Sequence, residues 1–301
     1  MKLLITGATG FIGINLVNKL AEKYEIYAIV RKHSNVSMLN KALKVFRYDG
    51  NINNLIDFFQ KEKFEGVIHL ASFFLSFHTP NDITKLIDSN IKFGTELLEA
   101  SKQSKVKWFI NTGTFWQHYN NENYNPVNLY AATKEVFEVI AKYYVETSDL
   151  IFTTIKLNDT FGLNDTRKKI FNLWLDCIKY HKTLDMSKGE QVIDISYIDD
   201  VVNAYEVMIQ NLSKNNYKKY HLKSYIVSNK EKLTLKELSK LFEEISSKKL
   251  NINWGAREYR EREVMIPYKN GELVPNWKQH FTLNGAIKLL IEKENLCQEN
   301  N

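Results

Sequence analysis

The 301-residue sequence predicts a doubly wound α/β fold, a parallel sheet with crossover helices, followed by a smaller C-terminal lobe. Three observations predict it. The apolar run MKLLI enters a glycine-rich turn, TGATGFIG at 6–13, and then INLVNKLAEKY, whose apolar residues recur at helical spacing. Strand-like and helical runs keep alternating through the first half of the chain. Beyond residue 240 the segments shorten and carry Gly255, Pro267, Gly271 and Pro275.

In order, the candidate strands are 2–6, 26–30, 44–48, 66–70, 107–111 and 151–157. Helical patterns near 12–22, 52–62, 85–103, 130–147 and 167–180 join and follow them. The helix from about 130 to 147 contains no Pro or Gly and keeps Val136, Ile140 and Tyr143 on one side. YIDDVVNAYEVMI at 197–209 reads as a strand end and a helix capped by Asp199 or Asp200, and KSYIVS at 223–228 as another strand. Thr234 is placed to cap a helix from Leu235, with Glu237 completing a capping box. The expected organisation is a first domain over 1–160, rejoined by 195–228, and a lobe formed mainly by 161–301.

With 44% hydrophobic and 25% charged residues, the composition is that of a globular protein rather than a disordered chain. The net charge of +6 comes from Lys and Arg scattered among acids, with no basic block interleaved with aromatics. Solubility, or attraction to an anionic small molecule, explains it more directly than nucleic acid does. No apolar run is long enough to cross a bilayer, and Met1 and Lys2 lead straight into the first strand, so neither membrane span nor signal peptide is expected. Cys177 and Cys297 are too few for a disulfide scaffold and lack metal-ligand spacing, which suits a reducing cytoplasm and no metal site.

The glycine turn has the form of a dinucleotide site. Gly7 allows the tight turn, Gly10 lets backbone approach a pyrophosphate, and Gly13 lets the helix pack on the sheet. Thr9, Phe11 and Ile12 complete a turn whose free N–H groups would meet phosphate at a helix N-terminus. Where NAD-preferring folds commonly end the second strand with Asp or Glu, YAIVRKHSN offers Arg31 and Lys32. Two cations suited to a 2′-phosphate predict NADP(H), with NAD(H) second. Asp49 is either an acceptor for the adenine amino group or a turn residue beside Gly50. In VIHLAS, Leu70, Ala71 and Ser72 let backbone pass close to the cofactor, while His69 reads as a packing histidine rather than a base. Asn90 either bonds backbone near the site or serves as an ordinary cap.

The chemistry concentrates between 111 and 134. FINTGTFW places Thr112 and Thr114 near the C-terminal end of the fifth strand, where open parallel sheets bind ligands. NLYAATKE supplies Tyr130 and Lys134, one turn apart on a helical face. A phenol titrates near 10 in water, roughly, and a neighbouring ammonium lowers the cost of its phenolate. With a hydroxyl to hold a carbonyl, this is a proton-transfer site beside a nicotinamide.

These residues resemble the extended short-chain dehydrogenase/reductase family of nucleotide-sugar epimerases, dehydratases and 4-keto reductases. The matching pieces are TGATGFIG (6–13), HLAS (69–72), NIKFGTELLEA (90–100), NTGTFW (111–116), YAATK (130–134) and YIDDVVNAY (197–205). The resemblance implies a Rossmann fold with a substrate-binding C-terminal lobe. It makes Tyr130 the general acid/base and Lys134 the holder of the nicotinamide ribose. Counting back four from Trp116 makes Thr112 the catalytic hydroxyl, with Thr114 its substitute. It also implies a homodimer joined by helices around 85–103 and 129–147.

Within the family, 189–209 and WGAREYREREVM (254–265) resemble the CDP-abequose and CDP-paratose synthase group. That implies NADPH-dependent reduction of the 4-keto group of a CDP-linked deoxyhexulose, in deoxysugar and lipopolysaccharide biosynthesis. Arg260 would then be a diphosphate ligand, or else a salt-bridge partner within its charged run. Three positions depart from the family pattern. Ile193 replaces a phosphate-binding Arg, leaving the charge to Arg260 or Arg167. Lys156 and Asp159 stand for the usual Arg and Asn in IKLNDTFG, so Asp159 would repel diphosphate and leave the contact to Asn158. Leu163 replaces a common proline. The alternatives are an epimerase or 4,6-dehydratase with tightly held NAD(P), and a non-catalytic dinucleotide-sensing scaffold. A dehydratase is disfavoured because Gly113 and Thr114, not an Asp-Glu pair, follow Thr112.

Overall fold

The computed structural model describes residues 1–298; the side chains of 295–298, Cys297 among them, lie outside the described residues. The first half alternates β1 (Lys2–Thr6), α1 (Phe11–Leu20), β2 (Glu25–Arg31), β3 (Lys44–Tyr48), α2 (Ile52–Glu62) and β4 (Gly66–His69). Next come α3 (Ile83–Ile87), α4 (Phe93–Gln103), β5 (Trp108–Thr114), α5 (Leu129–Glu146) and β6 (Ile151–Leu157). The second half holds β7 (Asp159–Phe161), α6 (Ile170–Tyr180), β8 (Leu184–Met186), β9 (Val192–Ile193), β10 (Ile195–Tyr197) and α7 (Ile198–Leu212). It closes with β11 (Lys223–Ile226), β12 (Leu233–Thr234), α8 (Leu235–Ser246), β13 (Ile252–Trp254), β14 (Glu272–Leu273) and α9 (Leu283–Gln298).

Eight strands form one parallel sheet in the order β14-β11-β6-β5-β4-β1-β2-β3. The expected strand at 223–228 is β11, which pairs with β6. Alternation of side chains along β1 sends Leu3 and Ile5 into the core beneath α1 and α7, and Leu4 into the core formed with α2, α4 and α5. The chain winds outward in both directions from β1, which pairs with β2 on one side and β4 on the other. That reversal leaves a crevice at the C-terminal strand ends, the place where such sheets bind ligands.

Helix α5 turns the side carrying Val136 and Tyr143 away from the core. Its buried stripe runs through Ala131, Lys134, Phe137, Ala141 and Val145. Val136, Val139 and Tyr143 face outward, Tyr143 with 62% of its surface exposed. Neither Asp199 nor Asp200 caps α7. The Asp200 carboxylate instead accepts from the His280 and Phe281 amides (2.7 and 3.1 Å), tying the C-terminal segment to α7. The capping box of Thr234 and Glu237 is formed. Among the described residues, no helix is long and apolar enough to cross a membrane.

Candidate active site

A cleft of about 720 Å³ opens at the crevice, within the size range of small-molecule sites. Gly7, Gly10, Arg31 and Tyr48 line one end, and Thr112, Trp116, Tyr130 and Asn158 the other.

At the first end, Gly7 has φ +70° and its carbonyl accepts from Gly10 N at 3.0 Å. A Cβ on Gly7 would lie 2.7 Å from Ala71 N, and one on Gly13 2.0 Å from Gly7 O, so backbone packing excludes any side chain at either position. A Cβ on Gly10, the N-cap of α1, would meet only Gly7 O within 4 Å, in a tight contact at 3.3 Å. The first-turn N–H groups of α1 lack intrahelical acceptors. Glycine turn and helix start form a cradle that a Cβ would fill, and it fits the pyrophosphate of a dinucleotide.

Thr6 and His69 hold the opposing wall. Thr6 Oγ1 accepts from Ala71 N (3.2 Å) and bonds His69 Nδ1 (2.8 Å). The His69 ring is fully buried against Phe93, Phe109 and Phe137. Burial, and then the charge of Lys134, keep its pKa well below the ordinary histidine range, so the ring stays neutral and supports packing. Asn90 lies in a π turn, Asp88–Lys92, off the cleft lining. It accepts from Phe73 N (2.7 Å) and donates to Phe73 O (3.1 Å) and Thr133 Oγ1 (3.0 Å), so it fixes the segment after Ser72 against α5.

Arg31 lines the cleft, whereas Lys32 does not. The Lys32 carbonyl accepts from Arg47 Nη1 at 2.9 Å. Asp49 is also off the lining, its carboxylate accepting from Asn51 N (2.9 Å) and Asn54 Nδ2 (2.8 Å) as a turn residue does.

At the far end, Asn128 caps α5 through Ala131 N (3.0 Å) and sets the helix so that Tyr130 faces the cleft with Lys134 buried behind it. Burial pushes the Tyr130 phenol up to about 12, a hydrogen bond with Ser72 acting in the opposite sense. Burial pulls the Lys134 ammonium down to about 8, opposed by the charge of Glu138 one turn further on. Gln117 Nε2 donates to Glu138 (3.0 Å), and Lys156 faces it at 3.9 Å while bonding His118 Nε2 (2.8 Å). Thr114 caps a short turn, its hydroxyl accepting from Trp116 N (3.3 Å). Thr112 also lines the cleft, and its hydroxyl lies 2.7 Å from the hydroxyl of Tyr205.

The basic residues near the substrate end are paired within the chain. Arg167 lines the cleft but donates twice to Asp165 (2.7 Å each) and to Thr160 O (2.8 Å), with its guanidinium 4.3 Å from the Phe11 ring centre. Lys169 bonds Asp159 at 2.8 Å, so the acid facing the cleft is neutralised by its own neighbour. Arg260 lies off the lining and holds Glu263 with two bonds (2.9 and 2.6 Å), 5.2 Å from the Trp116 ring centre. Sequence reasoning missed Lys169, Tyr205 and Phe74, whose ring meets Tyr130 edge-on at 5.0 Å. Tyr205 closes the motif YIDDVVNAY, but neither that motif nor the sequence around Lys169 and Phe74 shows the contacts they make.

The family model that matches residues 3–222 is described as the NAD dependent epimerase/dehydratase family. The chain belongs to this family. Over 296 residues it is 28% identical to CDP-abequose synthase of Salmonella muenchen, covering 96% of this chain and 97% of the relative. It shares its fold with UDP-glucuronic acid 4-epimerase of Bacillus cereus in complex with UDP-glucuronic acid and NAD, at a TM-score of 0.85 and 20% identity (99% and 100% of the two chains). Thermus thermophilus UDP-glucose 4-epimerase, solved with NAD, gives 0.80 and 20% (97% and 98%).

These findings correct the cofactor expectation, and with it NADPH-dependent 4-keto reduction and an NADP-dependent dehydrogenase assignment. Both of these structures are of 4-epimerases and carry NAD. The physical reason is visible at β2. Of the two cations expected to hold a 2′-phosphate, only Arg31 reaches the cleft lining. Cationic residue types after the second strand did not reveal where their side chains go.

Proposed function

We propose that this family member is a nucleotide-sugar 4-epimerase working with tightly held NAD. The observation that carries the reading is one continuous cleft joining the Gly10 cradle to Thr112 and Tyr130, with no carboxylate at 113 or 114 to remove water from the sugar. The NAD-bound epimerases of the same fold support the cofactor. The likeness to CDP-abequose synthase along nearly the whole chain supports a cytidine diphosphate sugar as substrate.

When bound, NAD supplies a reversible hydride acceptor for the sugar C4. Gly10 and the first turn of α1 hold its pyrophosphate, and Leu70, Ala71 and Ser72 line the wall along it. Tyr130 in its phenolate form takes the proton of the C4 hydroxyl at Oη, and the resulting phenol returns it to the oxygen of the opposite configuration. The Lys134 ammonium lowers the cost of that starting phenolate, and Glu138 favours the charged form of Lys134. The Thr112 hydroxyl holds the C4 oxygen in both directions. Asn158, which lines the cleft, holds the diphosphate end together with Arg167.

The purified protein should release NAD on denaturation, identified by chromatography. Release of NADP instead would overturn the cofactor part of this reading.

Exposed Val136, Val139 and Tyr143 on α5, with Ile83 and Ile87 on α3, also form an apolar face that suits a homodimer. Light scattering should give twice the chain mass for the native protein and a monomer for Val139→Glu. A monomeric native protein would contradict this.

A further inference from the structure

Tyr205 is fully buried on α7, in the core beneath the sheet, and its hydroxyl lies 2.7 Å from Thr112 Oγ1. Among the described residues this is its one hydrogen-bond partner. The distance alone does not say which group donates, but burial does. A phenol sealed from water and offered a single oxygen leaves its proton unsatisfied unless it donates to that oxygen. Thr112 is only partly buried and lines the cleft, so its own proton has a second direction available. Two consequences follow for Thr112. One lone pair is occupied from behind, and its hydrogen points away from Tyr205 toward the cleft.

We propose that Tyr205 is a positioning residue that fixes the Thr112 hydroxyl as a donor toward the substrate oxygen. The chain of donation runs from Tyr205 Oη–H to Thr112 Oγ1, and from Thr112 Oγ1–H to the oxygen on the sugar carbon. Donation to Thr112 also polarises the threonine hydroxyl, strengthening the bond it makes in turn. Burial raises the Tyr205 pKa above that of an ordinary phenol, so its proton is present at every working pH. A phenylalanine would fill the same space without a polar atom to satisfy, which separates the role of the hydroxyl from that of the ring. The proposal rests on the reading of Thr112 as a substrate ligand, and two measurements keep their failures distinct.

The first needs no substrate. In tyrosine-labelled protein, NMR should show a slowly exchanging Tyr205 hydroxyl proton with a cross-peak to the Thr112 methyl group. That signal should move or disappear in Thr112→Val. A Tyr205 hydroxyl exchanging freely with water, or unaffected by Thr112→Val, would overturn the proposal even if the enzyme is an epimerase.

The second uses the holoenzyme with UDP-glucose and CDP-glucose as probes. Tyr205→Phe should lower kcat about five- to tenfold, the scale of one lost hydrogen bond, with KM and Tm nearly unchanged. In a Thr112→Ala background the same change should have no further effect. An equal loss of kcat in both backgrounds would make Tyr205 a packing residue and overturn the proposal. If the wild type turns over neither probe, the epimerase reading fails on these substrates, and the NMR result alone decides the hydrogen bond.

Discussion

The Asp159 carboxylate accepts a hydrogen bond from Lys169 Nζ at 2.8 Å, on the wall of the cleft. Lys169 also lies 4.9 Å from the ring centre of Phe74, which in turn packs on Tyr130, so the pair sits close to the reacting groups. An unpaired acid here would oppose a diphosphate. Lys169→Met should therefore weaken UDP-glucose binding roughly three- to tenfold, and adding Asp159→Asn should recover most of the loss. Titration calorimetry on the three proteins checks this. Equal affinities would show that the diphosphate binds away from Asp159.

Lys134 is 2% exposed, and its ammonium is pulled down to about 8 from an unfolded value of 10.5. Between these two values the unfolded chain binds the extra proton, so the Lys134 contribution to stability rises with pH through that window. Below about pH 8 both states are protonated, and burying the charge carries a constant cost on the order of 3 kcal/mol. Lys134→Met should thus be more stable than the wild type at neutral pH though inactive, and the gap should close as pH rises toward 10.5. Denaturant unfolding at a series of pH values tests this. A gap independent of pH would place the Lys134 pKa near its ordinary value.

Gly10 and Gly13 predict opposite failures. A methyl group at Gly13 collides with backbone, 2.0 Å from Gly7 O, and should destabilise the fold by about 1–3 kcal/mol. A methyl group at Gly10 meets only Gly7 O, at 3.3 Å, so Gly10→Ala should lose far less Tm than Gly13→Ala while losing most of its bound NAD. Measuring Tm and dinucleotide content together separates the two. A Gly10→Ala protein with full NAD would show that the cradle does not hold the pyrophosphate.

The parts of the site readable from the sequence are those made by neighbours in sequence. A strand, glycine turn and helix occupy 2–20, and Tyr130 and Lys134 share a helical face because they are four residues apart. For charged side chains at strand ends and in loops the sequence left alternatives open, Asp49 as ligand or turn residue and Arg260 as ligand or salt-bridge partner. Their direction is set by partners: Asn51 and Asn54 capture Asp49, Glu263 holds Arg260, and Lys169 neutralises Asp159. Cofactor preference failed for the same reason, since the sequence shows Arg31 and Lys32 as residue types but not that Lys32 leaves the cleft. On α5, periodicity marks an apolar stripe without saying whether core or solvent faces it. The buried stripe holds Thr133 and Lys134, while Val139 and Tyr143 are left outside. Tyr205 meets Thr112 across 93 residues, a relation that no spacing rule contains.

In the proposed reaction hydride leaves and returns to the same sugar carbon without an external reductant. The most direct test incubates the protein as purified, with no dinucleotide added, with UDP-glucose, UDP-glucuronic acid or CDP-glucose, and determines the C4 configuration of the product by NMR. The account predicts accumulation of the C4-inverted sugar with no net change in reduced nicotinamide, and its loss in Tyr130→Phe. Turnover that requires added NADPH and consumes it stoichiometrically would contradict the account.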